Sequence, residues 1–353
     1  MSAQPLVDGV GLFVVEKIGL GVDLDKLAVR LPGLFSDMDC HVEQNSDYIA
    51  CKPTPLQLQL KNLHNIQFPD GRLISCRMRV WEFGAISLYF NCSFDHTLNA
   101  LETIRIIPLI QSLALNNALG LFDRFRDSFA DLIQRPINNN ITEEWTIFYA
   151  QKSEELTVDS LFTSYSADIS KLLWIDEEAA SEDITNEIRS GSFARSVNDF
   201  LLIDWDCGFL ASNRSAQILQ VVEYALMQSL EMRSLITHLD RNLDNFLERF
   251  KSGWPIYTLG LKQLSSLSIE ATWAYDRIAD SLDLAGNPLL LEIYRLAAKR
   301  FRLPTLDDDI QRKMAALRDV YERVHDQNHV VIAHILEITI ILLIVLEIVI
   351  NLA

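Results

Sequence analysis

The sequence predicts an α+β protein in three parts. An N-terminal mixed α/β domain is expected at residues 1–212, long coiled-coil-like helices forming a stalk at 213–329, and a C-terminal transmembrane helix at 330–353. Three observations lead to this prediction. Strand-like and helical patterns alternate up to about residue 212, apolar residues then recur with helical spacing only, and the last 24 residues include 19 apolar ones.

The first part is predicted to contain a sheet with flanking helices. Runs rich in Val, Ile, Phe, Tyr and Trp predict strands at residues 11–16, 48–51, 73–93, 145–151 and 199–211. Apolar residues at helical spacing predict helices at 24–31, ended by Pro32 and Gly33, and at 121–132, before Pro136. This alternation of strands and helices indicates a mixed α/β domain.

The second part is predicted to be helical. One apolar seam steps by three and four residues, which is the spacing of a helix face that packs against a partner helix. Its members are Met232, Leu235, Leu239, Leu243, Phe246 and Phe250. Gly253 and Pro255 follow the seam and predict the end of its helix.

Two further helices are predicted after the seam. Asn287 before Pro288 is a start signal for a helix that is expected to end near Arg300. Thr305 and Asp308 have the spacing of a capping box for the last helix. No Gly or Pro occurs from Thr305 to the end, so this helix is expected to continue unbroken into the C-terminal segment.

Residues 330–353 are predicted to cross a lipid bilayer as one helix. A helix of this length measures about 36 Å, and the hydrocarbon core of a bilayer is about 30 Å thick. Glu337 and Glu347 reduce the gain from insertion, but both lie about 7 Å from the middle of the segment, where a charge costs less than at the centre. A buried helix in a soluble oligomer is the alternative interpretation.

The polar residues of this segment are predicted to share one side of the helix. At about 100° per residue they form a stripe. Its members are His334, Glu337, Glu347 and Asn351. Lipid on every side would leave the stripe without polar partners, so it is expected to face a helix of a second copy of the chain. A membrane-bound protein partner is a further expectation, and protonated glutamates that face lipid are the alternative.

The charges that flank the segment predict its orientation. Arg312, Lys313, Arg318 and Arg323 precede it, and no basic residue follows it. Positive residues stay on the cytoplasmic side. The body and the N-terminus are therefore expected in the cytoplasm at the cell membrane, or in the matrix of a mitochondrion. The first residues resemble neither a secretory signal nor an Arg-rich transit sequence, and five cysteines without a Cys-x-x-Cys pair fit reduced thiols.

The net charge limits the predicted partners. The chain has 48 acidic residues against 31 Lys and Arg, a net charge of −17. Nucleic-acid binding depends on basic residues that displace the counterions of phosphates. No direct contact with nucleic acid is therefore expected. The predicted partners are the lipid bilayer, through residues 330–353, and a second copy of the chain.

No motif in the sequence predicts a catalytic centre or a cofactor. The sequence contains no phosphate-binding loop, nucleophile elbow or dinucleotide-binding glycine turn. His325 and His329, four residues apart on one helix face, have a spacing suited to a metal ion, with Glu322 one turn earlier. A membrane-bound, metal-dependent enzyme at these histidines is the alternative to a non-enzymatic protein. Polar residues at a membrane interface are the simpler interpretation of the pair.

Several stretches resemble a known family. They are the C-terminal run that begins at Leu336 and includes Glu347, the strand-like segments 81–88 and 202–206, and the helical segment 231–243. Together they are similar to the "required for meiotic nuclear division" family, which is a domain of unknown function. Ile338 departs from the family pattern, in which an aromatic residue is expected.

The resemblance implies a membrane-anchored, oligomeric protein without an established catalytic activity. Eukaryotic members of that family lie in the mitochondrial inner membrane and hold the translation machinery there. The lack of a transit sequence would make this chain a bacterial member at the cytoplasmic membrane. Sequence and resemblance together predict a membrane-anchored, non-enzymatic scaffold or tether that forms homo-oligomers.

Overall fold

The structure is a computed structural model. It describes residues 6–34, 40–43, 50–51, 54–60, 66–150, 165–175, 192–196, 199–212, 214–251, 259–280, 282–283 and 287–352. The chain divides into two compact units. The first combines Met1–Ser234 with Arg277–Pro304, and the second combines Leu235–Asp276 with Thr305–Ala353. The first unit contains a sheet and the second is helical, so the predicted α+β class is confirmed. The predicted boundaries at 212 and 329 stay predictions.

Ten of the twelve described strands form one sheet in the first unit. The strands are β1 (Val7–Val22), β2 (Cys40–Glu43), β3 (Ala50–Cys51), β4 (Leu56–Leu60), β5 (Gln67–Phe68), β6 (Gly71–Trp81), β7 (Ala85–Leu98), β8 (Ile133–Ala150), β9 (Ser192–Ser196), β10 (Asp199–Ile203), β11 (Cys207–Ala211) and β12 (Leu282–Asp283). Their order is β2-β4-β6-β7-β1-β8-β11-β10-β9, with β5 beside β6, and β3 pairs with β12 separately.

Seven helices are described. They are α1 (Leu24–Leu34), α2 (Ala100–Phe129), α3 (Ser166–Trp174), α4 (Ser215–Lys251), α5 (Leu259–Asp280), α6 (Pro288–Arg300) and α7 (Leu303–Leu352). A short 3₁₀ turn, Ala130–Leu132, joins α2 to β8.

The longest strands lie side by side at the centre of the sheet. β1 pairs antiparallel with β7 on one side and with β8 on the other. Among the described strands, β8 and β11 form the one parallel pair. Almost every residue of β1 is buried, because both faces of a central strand are covered. This burial explains the nearly continuous apolar run by which the strand was predicted.

One face of the sheet contributes to an apolar core with α2 and α3. Eleven side chains of α2 are buried, including the large rings of Phe122 and Phe125. The same cluster contains Leu12 and Val14 of β1. The sequence predicted only the end of α2, at 121–132, whereas the helix begins at Ala100.

The opposite face of the sheet contacts the first part of α4, which in turn contacts α6. The ring centroid of Trp81 on β6 lies 6.0 Å from that of Tyr224 on α4. The Tyr294 hydroxyl of α6 donates to Gln228 of α4 at 2.6 Å. The predicted start of α6 is confirmed, because the Asn287 side chain accepts a hydrogen bond from the Leu290 amide at 3.3 Å.

The second unit consists of the end of α4, α5 and most of α7. Tyr275 of α5 donates to Asp307 of α7 at 2.7 Å. Lys313 of α7 pairs with Asp240 of α4. Leu317 is among the side chains buried in this unit. Polar contacts at its margin and apolar contacts inside it hold the three helices together.

Two predicted helix boundaries are wrong. α1 continues past Pro32 to Leu34, because a proline close to the end of a helix removes a single backbone hydrogen bond. α7 begins at Leu303, so Thr305 lies inside its first turn and is not the capping residue. Pro304 favours this earlier start, since a proline fits the first turn of a helix.

Candidate functional site

The C-terminal part of α7 continues beyond the part of the helix that is packed. Val324 is the last residue of α7 that is buried among those with described side chains. The helix continues from there to Leu352, a further distance of about 40 Å at 1.5 Å per residue.

Large aliphatic side chains in this part of α7 are exposed. Seven of them are 51–63% exposed, namely Leu336, Ile338, Ile340, Ile341, Leu342, Leu343 and Ile344. At about 100° per residue they point in directions spread around the whole helix. A helix that is apolar on all sides belongs in a protein interior or in a membrane, so this surface is the candidate functional site.

A second apolar helix provides a comparison. Among the described residues, Ala100–Leu132 is the one helical segment that is long and apolar enough to cross a membrane. It consists of α2 and the following 3₁₀ turn, and its apolar face belongs to the core of the first unit, as in a core helix. The side chains at 330–332, 335 and 345–353 lie outside the described part. More than half of the predicted span at 330–353 thus lies outside the described side chains.

The structure describes two of the four side chains of the predicted polar stripe. His334 and Glu337 lie one turn apart, with the imidazole Nδ1 and a carboxylate oxygen 3.6 Å from each other and both side chains about 70% exposed. The side chains of Glu347 and Asn351 lie outside the described residues. The described pair therefore faces outward from the chain, as a contact with another molecule requires.

The two candidate metal-ligating histidines lie next to each other on α7. The ring centroids of His325 and His329 are 4.5 Å apart, and Tyr321 lies 5.9 Å from His325. No group of three His, Cys, Asp or Glu side chains suited to a metal ion occurs within the described part of the chain. The pair supplies two ligands, whereas a structural zinc site uses four.

The apolar seam of α4 is covered within the chain. Met232, Leu235, Leu239 and Phe246 are each at most 8% exposed. Leu243 is partly buried, and the side chain of Phe250 lies outside the described residues. The described part of this seam is therefore packed within the chain itself.

A buried cluster of charged residues, which the sequence did not predict, links the sheet to α4. The Glu223 carboxylate accepts hydrogen bonds from Arg77 at 3.0 Å, from Arg79 at 2.5 Å and from the Ser87 hydroxyl at 2.5 Å. Arg77 and Arg79 alternate on β6, so both point to the same face of the sheet. Two guanidinium groups therefore neutralise one buried carboxylate.

A second buried ion pair lies nearby on the same face. The Lys17 ammonium of β1 donates to the Glu231 carboxylate of α4 and to the Phe83 carbonyl. Burial lowers the pKa of Lys17, and the Glu231 charge opposes this shift. Burial likewise raises the pKa of Glu231, against the effect of Lys17. Both pairs fix the position of α4 on the sheet.

A small cavity and three buried cysteines also lie in the first unit. A cavity between β6, β7 and α2, lined mainly by apolar side chains such as Phe68, Leu73 and Phe90, has a volume of about 20 Å³, enough for one water molecule at most. Cys76, Cys92 and Cys207 are buried, and burial raises the pKa of each thiol, that of Cys92 to about 12. A thiol that stays protonated is a poor nucleophile.

Comparison with known proteins identifies a family. Residues 10–217 match the family model described as "Uncharacterized protein MJ0711, N-terminal domain". The Methanocaldococcus jannaschii protein of that name is 24% identical over 255 residues, which cover 70% of this chain and 79% of the relative. No solved structure matches the chain.

The predicted resemblance to the "required for meiotic nuclear division" family is wrong, because the family model that matches belongs to a different family. The segments 81–88 and 202–206 that suggested it overlap strands β7 and β10. Short aromatic and aliphatic stretches of this kind occur in many sheets, since they meet the general requirements of a buried strand. The match over residues 10–217 extends across the sheet and shows that the chain belongs to the family of the MJ0711 N-terminal domain.

Proposed function

We propose that the protein is a membrane-anchored, non-enzymatic scaffold, with residues 330–353 in the bilayer. The observation behind this proposal is the exposure of the aliphatic side chains between Leu336 and Ile344. Transfer of an exposed Leu or Ile side chain from water to an apolar environment gains about 2 kcal/mol. Seven exposed Leu and Ile side chains lie within these nine residues, so an environment that removes them from water is strongly favoured.

Lipid explains this exposure better than a single protein partner does. A partner helix covers one side of α7, whereas the exposed side chains occupy all sides. A buried position inside a soluble oligomer would require several partner helices around the same segment. A bilayer surrounds the helix with apolar chains and needs no further subunit.

In this proposal the body lies on the cytoplasmic side of the cell membrane. Arg318 and Arg323, both exposed on α7, precede the segment. The positive-inside rule places this flank, and the N-terminus with it, in the cytoplasm.

Fractionation of cells tests the anchor. The full-length protein should sediment with membranes after lysis without detergent and should resist extraction at alkaline pH. The double variant Leu342→Lys, Ile344→Lys should move to the soluble fraction or aggregate, because each charge costs about 3 kcal/mol near the centre of a bilayer.

The control adds a lysine to an exposed apolar position of the body. Val29 is 82% exposed, and Val29→Lys should leave the protein in the membrane fraction. A soluble full-length protein contradicts the anchor. Membrane association of the double variant equal to that of the unchanged protein contradicts it as well.

The polar stripe is proposed to join copies of the chain within the membrane. His334 and Glu337 are exposed and contact each other, and a polar group in hydrocarbon is stabilised by a partner on a neighbouring helix. Replacement of Glu337 and Glu347 by Leu should lower the oligomer size in detergent, measured by light scattering. Replacement of Leu336 and Ile340 by Ala is the control, and an unchanged size in the glutamate variant refutes this role.

A metal-dependent enzyme is the second candidate. The adjacency of His325 and His329 favours it, although the described side chains supply no third ligand. Metal analysis of the purified protein separates the two proposals. One zinc ion per chain that is lost in His325→Ala, His329→Ala supports the enzyme, and protein without bound zinc after incubation with zinc contradicts it.

A further inference from the structure

Trp205 is an exposed aromatic residue between two arginines. It lies in the turn between β10 and β11 and is 41% exposed. The guanidinium carbon of Arg302 lies 4.5 Å from its ring centroid, and that of Arg233 lies 5.4 Å away. Arg302 adopts a φ of 55°, a left-handed conformation that is uncommon for a residue with a side chain. Three separate segments of the first unit thus meet at this ring.

Two further exposed cations lie on α6, the helix that ends just before Arg302 and contacts this turn through Arg300 and Asp204. Arg295 and Lys299 are four residues apart on α6 and hence lie on the same helix face. The Arg302 amide donates to the Lys299 carbonyl at 3.2 Å, which places Arg302 directly after them. We call Arg295, Lys299, Arg302 and Trp205 the basic face.

The cations of the basic face are not neutralised within the described part of the chain. Arg295, Lys299 and Arg302 are exposed, and none of them forms an ion pair with a residue that the structure describes. By contrast, Arg233 pairs with Glu143 at 3.1 Å. The one acidic residue of α6, Glu292, lies a turn before Arg295. Trp205 itself stands between Asp204, which lies 4.0 Å from Arg300, and the exposed Asp206. The three cations of the basic face outnumber Glu292 and Asp206, the exposed acidic residues beside them.

We propose that the basic face is a docking surface for an acidic segment of another protein. Carboxylates placed one helical turn apart match the spacing of Arg295 and Lys299, so a helix with Glu at i and i+4 is complementary to this face. The edge of Trp205 supplies an apolar contact beside the charges. Tryptophan and arginine are the residues that contribute most often to the binding energy of protein interfaces.

The arrangement around Trp205 favours a protein, and not RNA or a membrane, as the partner of the basic face. RNA-binding proteins stack bases on the face of an aromatic ring, but two guanidinium groups lie over the ring of Trp205. The same groups oppose insertion of the ring into lipid. The three cations of the basic face are also fewer than the four to eight basic residues that are typical of an anionic-lipid site.

Stabilisation of α6 alone does not explain the basic face. Cations near the C-terminus of a helix interact favourably with its dipole, which accounts for Lys299. Arg295 lies more than one turn before the end of α6 at Arg300, where the dipole effect is weak. The exposure of Trp205 has no connection with the dipole.

Binding of synthetic peptides to the full-length protein in detergent tests the proposal. The first probe is a labelled, alanine-based helical peptide with Glu at i and i+4 and one Leu, and the second has Gln in place of Glu. Fluorescence anisotropy should show binding of the Glu peptide at least about tenfold tighter than that of the Gln peptide. The triple variant Arg295→Gln, Lys299→Gln, Arg302→Gln should weaken it about tenfold, which corresponds to three exposed ion pairs.

The matched control removes three exposed cations elsewhere. Arg72→Gln, Arg241→Gln, Lys262→Gln, at exposed positions, changes the net charge equally and should alter binding by less than about twofold. Trp205→Ala should weaken the Glu peptide about tenfold, with the same thermal unfolding temperature as the unchanged protein. The proposal is overturned by equal losses in both triple variants or by absent binding of the Glu peptide. It is also overturned if an RNA oligonucleotide or anionic vesicles bind more tightly than the peptide in a way that depends on the basic face.

Discussion

Two long apolar helices of this chain have opposite environments. α2 buries eleven side chains and contributes to the core of the sheet domain. The end of α7 exposes seven large aliphatic side chains, and none of its described side chains beyond Val324 is buried. Both are long and rich in Leu and Ile, but the surroundings of their apolar side chains differ.

The polar residues of the two helices differ in the same way. Asn99 and Glu102 cap the start of α2, and Arg126 near its end pairs with Glu16 of β1. On α7, His334 and Glu337 contact only each other among the described residues and remain about 70% exposed. α2 is thus packed within the first unit, whereas the described side chains at the end of α7 remain exposed. This comparison predicts which substitutions affect folding and which affect localisation.

The largest expected effect is at Phe122. This side chain of α2 is fully buried, so Phe122→Ala should lower the free energy of unfolding by about 4 kcal/mol through lost contacts and a cavity. Leu342→Ala, at a position that is 63% exposed, should change it by less than about 0.5 kcal/mol. Urea unfolding of the protein in detergent measures both values.

Leu109→Ala is the control on α2 itself, because this residue is 44% exposed. Its effect should lie between the other two. If Leu342→Ala destabilises the body as much as Phe122→Ala does, the end of α7 is packed within the chain and the contrast between the helices fails.

The next effect concerns Arg126, which pairs with the buried carboxylate of Glu16. Burial raises the pKa of Glu16, and Arg126 opposes that shift. Protonated Glu16 therefore stabilises the fold at pH values below its ordinary pKa. This stabilisation is lost as the pH rises through the raised pKa. Arg126→Met raises that pKa further, because the opposing charge is gone.

Arg126→Met should consequently cost about 2 kcal/mol at neutral pH, where a buried carboxylate is left without its partner. The cost should decrease as the pH falls and Glu16 takes up a proton. Urea unfolding across this pH range measures it. Arg105→Met, at an exposed position of the same helix, should change stability little at any pH, and a pH-independent cost for Arg126→Met would exclude the pair as its cause.

The sequence predicted α7 more completely than α2. α7 has no Gly or Pro after Pro304, and its continuity through 352 is confirmed. α2 contains Pro108 and several polar residues in its first half, so the local pattern indicated only its last part. Packing on the sheet stabilises the whole of α2, and packing is not visible in a local pattern.

The buried charged cluster was missed for a related reason. Arg77 and Arg79 alternate with apolar residues on β6, a pattern that is typical of a strand with one solvated face. Their partner, Glu223, is 146 residues away from Arg77 in the chain. Spacing along the sequence does not bring such groups together, and only the fold places α4 over that face of the sheet.

A smaller effect is expected at the start of α2. The Asn99 side chain accepts a hydrogen bond from the Glu102 amide at 3.0 Å, and the Glu102 carboxylate accepts one from the Asn99 amide at 2.9 Å. Asn99→Ala should lower the free energy of unfolding by about 1 kcal/mol, measured by urea unfolding. Asn99→Ser retains a capping oxygen and should cost less, and equal losses in the two variants would argue against capping as the origin.

The smallest effect has the opposite sign and lies at Gly120, in the second half of α2. A Cβ added there meets no other atom within 4 Å, so Gly120→Ala introduces no clash. Alanine restricts the unfolded chain and favours the helix, so the variant should be more stable by about 0.5 kcal/mol. The thermal unfolding temperature should rise by about 1–2 °C for a protein of this size.

Gly120 also illustrates how the two helices differ in what stabilises them. α2 tolerates a central glycine because its eleven buried side chains, not helix propensity, stabilise it. The end of α7 shows no such packing among its described side chains, and it contains no glycine. An unchanged or lower unfolding temperature in Gly120→Ala would show that α2 is constrained at this position by a contact outside the chain, and its surface would then resemble that of α7.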